Sequence, residues 1–215
     1  MIDTAINKYE KAIKIAPDFA MAYYNLGIAY FRKGMIDEAI IAFHKTLERL
    51  PNHADALQTL GLAYHKKGMR KEAAINYKKA SQLDLNNPVL YYRLGNLYME
   101  GGQLDIAVVE YQNALSIKSD FMEALNDLGI AYTKMKEYDK AISILKKKIE
   151  LKPNTVDAYY NIACIYALEN KKDKATFWLR KAVEKGFNDW KLLSTDSDLE
   201  NIREDIYYKK LISEH

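Results

Sequence analysis

The chain has 215 residues, 49% hydrophobic and 28% charged, with 9 Gly, 4 Pro and 1 Cys; this supports a substantial core, excludes disorder, and leaves little turn material for an all-β sandwich or barrel. The lone Cys164 excludes a disulfide framework and a cysteine-rich zinc site. A formal charge of +3 with interspersed signs gives no footprint for nucleic acid, no apolar run reaches the length of a membrane span, and Met1-Ile2-Asp3 does not open a secretory signal, so the expected location is cytoplasmic.

One internal period organises the sequence. Gly27, Gly61, Gly95 and Gly129 are 34 residues apart, and Ala163 continues the series. Tyr30, Tyr64, Tyr98, Tyr132 and Tyr166 keep the same spacing, as do Ala5, Ala39, Ala73, Ala107, Ala141 and Ala175. Three independent registers with one period identify a repeat architecture, which must be recognised before local structure is assigned.

In chain order, residues 1–19 hold a second helix whose own first helix is missing. Its apolar residues Ile2, Ile6, Tyr9 and Ile13 predict one face packed on the next helix and another without a partner. That leaves three readings: a helix that pairs with a second copy, a chain cut from a longer array, or a frayed terminal turn that leaves Ile2 and Ile6 in solvated chain. Full units follow at 20–53, 54–87, 88–121, 122–155 and 156–189. First helices are expected near 20–33, 54–67, 88–100, 122–135 and 156–169, where Tyr23-Leu26-Gly27-Tyr30 and its equivalents share one helical face. Second helices are expected near 37–50, 71–84, 105–118, 139–152 and 173–185, carrying Ala39-Phe43, Ala73-Tyr77, Ala107-Tyr111, Ala141-Leu145 and Ala175-Leu179. Pro51 and Pro153 stop second helices, Asn87-Pro88 starts a first helix, and Gly34, Gly68 and Gly101-Gly102 mark the breaks within units. Residues 190–215 are expected to form C-terminal capping helices. Late in the second helix a small residue recurs (Ala12, Ala80, Ala114, Ala182), but Thr46 and Lys148 break the series. Lysine there is expected to snorkel to solvent and to pack poorly.

These residues resemble the tetratricopeptide repeat signature, W-x2-L-G-x2-Y…A-x3-F…P, with Tyr23, Leu57, Tyr91, Leu125 and Tyr159 at the tryptophan position. The resemblance implies an all-α, right-handed superhelical solenoid of stacked helix-turn-helix units. It also implies a concave groove lined by particular places on the first helices. The first unit contributes Tyr24, Asn25, Ile28 and Phe31, and the second Gln58, Leu62 and His65. From the third come Tyr92, Arg93, Asn96 and Met99; from the fourth, Asn126, Asp127 and Ile130; from the fifth, Tyr160, Asn161 and Cys164. Rings and Met supply contact area and amides can satisfy a peptide backbone, although the same side chains could instead pack against neighbouring helices. The carboxylate clamp known in the family is matched only at Arg93, and its asparagine ladder only at Asn25 and Asn161, so neither sub-function is implied.

Catalytic chemistry finds no constellation. Cys164 lacks a basic partner, its nearest histidine in sequence being His215. His44, His53 and His65 lack metal-ligand spacing and read as solvated, and Asp196, Asp198 and Glu200 read as helix caps, not calcium ligands. The Lys146-Lys147-Lys148 run fans around its helix as a solvated face. The expectation is a non-catalytic protein without metal or cofactor, binding a peptide segment or helix of a partner, or else self-associating as a scaffold.

Overall fold

A computed structural model describes residues 1–214; His215 lies outside the described residues. No strand occurs among the described residues, and the chain forms two compact units, Met1–Ile117 and Lys118–His215. The first unit contains α1 (Ile2–Ile15), α2 (Ala20–Lys33), α3 (Ile36–Arg49), α4 (Ala54–Lys66), α5 (Arg70–Leu83), α6 (Pro88–Glu100) and α7 (Leu104–Ile117). The second contains α8 (Met122–Lys134), α9 (Tyr138–Leu151), α10 (Val156–Leu168), α11 (Lys172–Glu184), α12 (Trp190–Thr195), a 3-10 helix (Ser197–Ile202) and α13 (Ile206–Ser213). Within each unit, consecutive helices pack as helix-turn-helix pairs, the solenoid packing that the 34-residue period predicts.

The period has a steric cause. A Cβ on Gly95 would sit 2.5 Å from Cε1 of Tyr111, one on Gly61 2.8 Å from the Tyr77 ring, and one on Gly27 2.6 Å from Phe43. The second-helix ring therefore lies directly on the first-helix backbone, and Tyr77, Tyr111 and Phe43 are fully buried. Burying such a side chain contributes about 1.5–3 kcal/mol. Where the partner is Leu145 the clearance at Gly129 grows to 3.1 Å, and opposite Leu179 the chain carries Ala163.

Turns repeat as well. Gly34, Gly68 and Gly102 adopt φ of 85°, 81° and 73°, and the next two members of the series, Lys136 and Asn170, hold φ of 60° and 58°. Sequence reading located the glycines and missed the last two, because neither residue announces the left-handed region.

The core is a string of local clusters. Ile6, Leu26 and Ala29 join α1 to α2; Ala39, Phe43, Leu60 and Ala63 follow; then Leu57, Ala73, Tyr77, Ala80, Leu90, Leu94 and Leu97. Successive clusters share partly buried residues such as Tyr30, Leu47 and Tyr64, as nearest-neighbour stacking predicts. Two expectations at the α1 and α9 helices are corrected here. Ile6 is buried against α2, not part of an unpartnered stripe, while Ile2 is exposed. Lys148 does not snorkel: its side chain is 6% exposed and pairs with Asp157.

Candidate functional site

In the first unit, α2, α4 and α6 present half-buried side chains at the places expected for a groove wall. On α2 the Tyr24 ring lies 5.1 Å from His53 and 6.1 Å from Phe43. Burial, then the nearby Asp55 carboxylate, push the Tyr24 phenol above its usual range, with the Thr59 hydroxyl acting in the opposite direction. Ile28 and Phe31 pack against the core from the same helix, and Lys66 Nζ sits 5.3 Å from the Phe31 ring centre. Asn25 and Gln58 donate and accept no hydrogen bond within the chain among the described residues, which leaves two complete amides on adjacent helices.

Leu62 packs on the cluster between α4 and α6. His65 keeps a surface position and pairs there with Glu100: its Nε2 lies 3.0 Å from Glu100 Oε1, and Arg70 Nε donates to Glu100 Oε2 at 3.4 Å. The other two histidines are engaged too. His53 Nδ1 accepts the Ala56 N–H at 3.2 Å and so caps α4, and His44 Nε2 lies 2.7 Å from the Tyr64 hydroxyl.

On α6, Tyr92 sits 5.9 Å from the Tyr111 ring, and Tyr111 donates its hydroxyl to Asn96 Oδ1 at 2.8 Å. That bond uses the Asn96 amide oxygen. Arg93 lies over Tyr77 at 5.9 Å, donates from Nη1 to the Tyr77 hydroxyl at 3.5 Å, and keeps a buried Nε without an acceptor. Met99, also on α6, is half-buried.

The second unit is built differently. Asn126, Asp127, Ile130 and Asn161 are half-buried on α8 and α10. From α9, Lys148 Nζ donates to Asn126 Oδ1 at 2.9 Å and pairs with Asp157, whose Oδ1 accepts the Thr155 hydroxyl at 2.6 Å. Asn161 Nδ2 reaches the same Asn126 oxygen at 3.5 Å. Burial raises the Asp157 pKa, but the bonds from Lys148 and Thr155 and the Lys148 charge outweigh it and hold the carboxyl below its usual range. Sequence reading treated Lys148 as a packing defect; the acid at Asp157, nine residues on, was the available signal.

Tyr160 and Cys164, expected in the wall, are only 5% and 6% exposed. The segment after α11 folds back over α10. Phe187 stacks on Tyr160, Asp196 Oδ2 accepts the Tyr160 hydroxyl at 2.7 Å, and Cys164 Sγ lies 3.7 Å from that oxygen. Asn201 Nδ2 also donates to the Ala167 carbonyl at 3.0 Å, and Leu199 and Ile202 complete the core beneath. These two residues belong to a closed cap interface and not to an open groove. Burial, then the Asp196 and Asp198 charges, push the Cys164 thiol well up, the reverse of what a nucleophile needs. Burial and then Asp196 likewise raise Asp198. Asp196 Oδ1 accepts the Asp198 N–H at 2.9 Å, so this acid is a helix cap. A small cleft of about 160 Å³ remains between Ile130, Thr133, Asn161 and Asp196. No group of His, Cys, Asp and Glu suited to a metal occurs among the described residues, and no described helix is long and apolar enough to cross a membrane.

Comparison with known families and structures matches this architecture. A profile described as "TPR repeat" covers residues 2–34 and 95–136, and profiles described as "Tetratricopeptide repeat" cover 20–53, 54–87, 123–155 and 156–184. No curated protein sequence gives a match. Among solved structures, the crystal structure of MamA protein is similar with a TM-score of 0.74 and 30% identity, over 82% of this chain and 95% of that one. That of "YrrB: a TPR protein with an unusual peptide-binding site" has a TM-score of 0.72 and 28% identity, over 83% and 92%. The C-terminal part of a TPR repeat-containing protein from Cytophaga hutchinsonii shares the fold, with a TM-score of 0.83 at 22% identity over 98% and 83%.

Proposed function

The chain belongs to the tetratricopeptide repeat family, and from that premise we propose that α2, α4 and α6 form the wall that binds an extended segment or helix of a partner protein. The reading is carried by one observation: Asn25 on α2 and Gln58 on α4 are half-buried with their amides unused within the chain among the described residues, among half-buried Tyr24, Phe31 and Tyr92. A side-chain amide offers donors and an acceptor, and these two can pair with the C=O and N–H groups of a bound backbone. Tyr24, Phe31 and Met99 supply area, and Arg93 supplies a cation that no carboxylate of this chain neutralises among the described residues. The similarity to YrrB, itself described as having a peptide-binding site, supports the same reading. The role is one of recognition, without chemistry.

The test is peptide display against the intact chain, followed by anisotropy titration of the best peptide. Replacing Asn25 and Gln58 together by Ala should raise its Kd about tenfold or more, the equivalent of about 1.4 kcal/mol, with an unchanged melting curve. A Kd equal to that of the wild type would remove the wall from the function.

A further inference from the structure

A second surface lies on the second helices, none of whose residues line that wall. Ile41 on α3, Ile75 on α5 and Val109 on α7 are 61%, 54% and 51% exposed, and they are spaced by the repeat period of 34 residues. Scattered exposed apolar residues need no explanation; three β-branched ones at one register do. An exposed β-branched residue neither packs nor favours a helix. The fold does not demand one either, because Ser143 holds the same place in α9.

The charges around this ladder are ordered. Residues three and four positions away on a helix share a face. Beside Ile75 these are Lys71, Glu72, Lys78 and Lys79; the three lysines are exposed, and none of them lies in an ion pair among the described residues. Beside Ile41 the N-terminal neighbours are Asp37 and Glu38, also exposed, with Asp37 paired to Lys67 of its own chain at 2.6 Å, and the C-terminal neighbours are the exposed His44 and Lys45. If α3 of one molecule lay antiparallel to α5 of another, with Ile41 on Ile75, then Asp37 and Glu38 would meet Lys78 and Lys79. A two-fold axis midway between α3 and α5 makes that contact twice, which is the isologous arrangement common in dimers. The same axis relates α1 to α7, bringing exposed Lys11 toward Asp105.

We propose that the outer faces of α3 and α5 form a self-complementary surface through which two copies of this chain associate, with Ile41 and Ile75 at its centre and Asp37 and Glu38 of each copy against Lys78 and Lys79 of the other. An anionic lipid surface fits less well, since Asp37, Glu38 and Asp105 border the ladder. The surface is independent of the peptide wall, so either can fail without the other.

Sedimentation of the intact chain across concentrations tests it. The wild type should show a monomer–dimer equilibrium. Lys78→Glu with Lys79→Glu, and separately Asp37→Lys with Glu38→Lys, should each weaken the dimer about tenfold or more. Mixing the two variants should restore a heterodimer, because one of its two contacts is then native and the other fully charge-reversed, and both are attractive. Ile75→Gln should weaken association in an uncharged way and guards against misfolding of a charge variant, which circular dichroism would reveal. A monomer at millimolar concentration overturns the proposal. So does a dimer indifferent to these changes, one abolished instead by Ile2→Gln and Ile15→Gln on α1, or failure of the mixture to recombine.

Discussion

The ring of Tyr160 lies 4.5 Å from that of Phe187, with the two planes within 4° of parallel. Through this stack the cap closes over α10, and Cys164 beneath it becomes a reporter. Native Cys164 should label slowly with a thiol reagent, since it is buried and its thiolate is disfavoured. Phe187→Ala should destabilise the second unit by about 3 kcal/mol, typical for a buried Phe truncated to Ala, and should speed the labelling. Equal labelling rates in the two proteins would contradict a closed cap.

Lys148 and Asp157 form the second test. Asp157 has its carboxyl held below the ordinary value of 3.8. A depressed folded-state pKa contributes stability at pH above the unfolded value and loses it as pH falls through the folded one. Acid unfolding of the wild type should therefore be steeper below about pH 4 than that of Asp157→Asn. Removing the acid leaves a buried ammonium uncompensated, so Asp157→Ala should cost about 2–3 kcal/mol. Lys148→Met should cost less than about 1 kcal/mol, because apolar replacement of a buried pair is often neutral and Asp157 keeps 53% of its side chain exposed. Denaturant titration of both variants checks the order; the reverse order would refute it.

Lys136 sits at φ 60° where earlier turns use glycine. Left-handed backbone costs a non-glycine residue about 1–2 kcal/mol, and part returns as unfolded-chain entropy when glycine replaces it. Lys136→Gly should stabilise by about 0.5–1 kcal/mol, whereas Gly102→Ala should destabilise. Thermal melts of the two variants moving in the same direction would contradict the turn geometry.

Gly95→Ala raises intrinsic helix propensity by about 1 kcal/mol, yet its Cβ would fall 2.5 Å from the buried Tyr111 ring. Overpacking of about 1–3 kcal/mol should win, and the variant should unfold at lower denaturant. A more stable Gly95→Ala would show that the ring can move aside.

The fold was legible because packing of this kind repeats: once Gly27, Gly61 and Gly95 align with Phe43, Tyr77 and Tyr111, the helices follow. What escaped lies where one residue solves the same local problem by other means. Lys136 and Asn170 take a glycine's conformation, and Lys148 fills a small residue's place by pairing its charge, which a volume rule does not register. Tyr160 and Cys164 occupy a wall position by register; capping helices were expected over residues 190–215, but with no repeat pattern in Phe187 to Ile202 the side chains they would cover could not be read.

The most direct test of the peptide wall is the footprint of a display-selected peptide on the amide spectrum of the intact chain. Shifts should cluster on α2, α4 and α6, largest around Asn25, Gln58 and Arg93, and should vanish when Asn25 and Gln58 are replaced by Ala. A footprint confined to the second helices, or to α10 and the cap, would contradict the account.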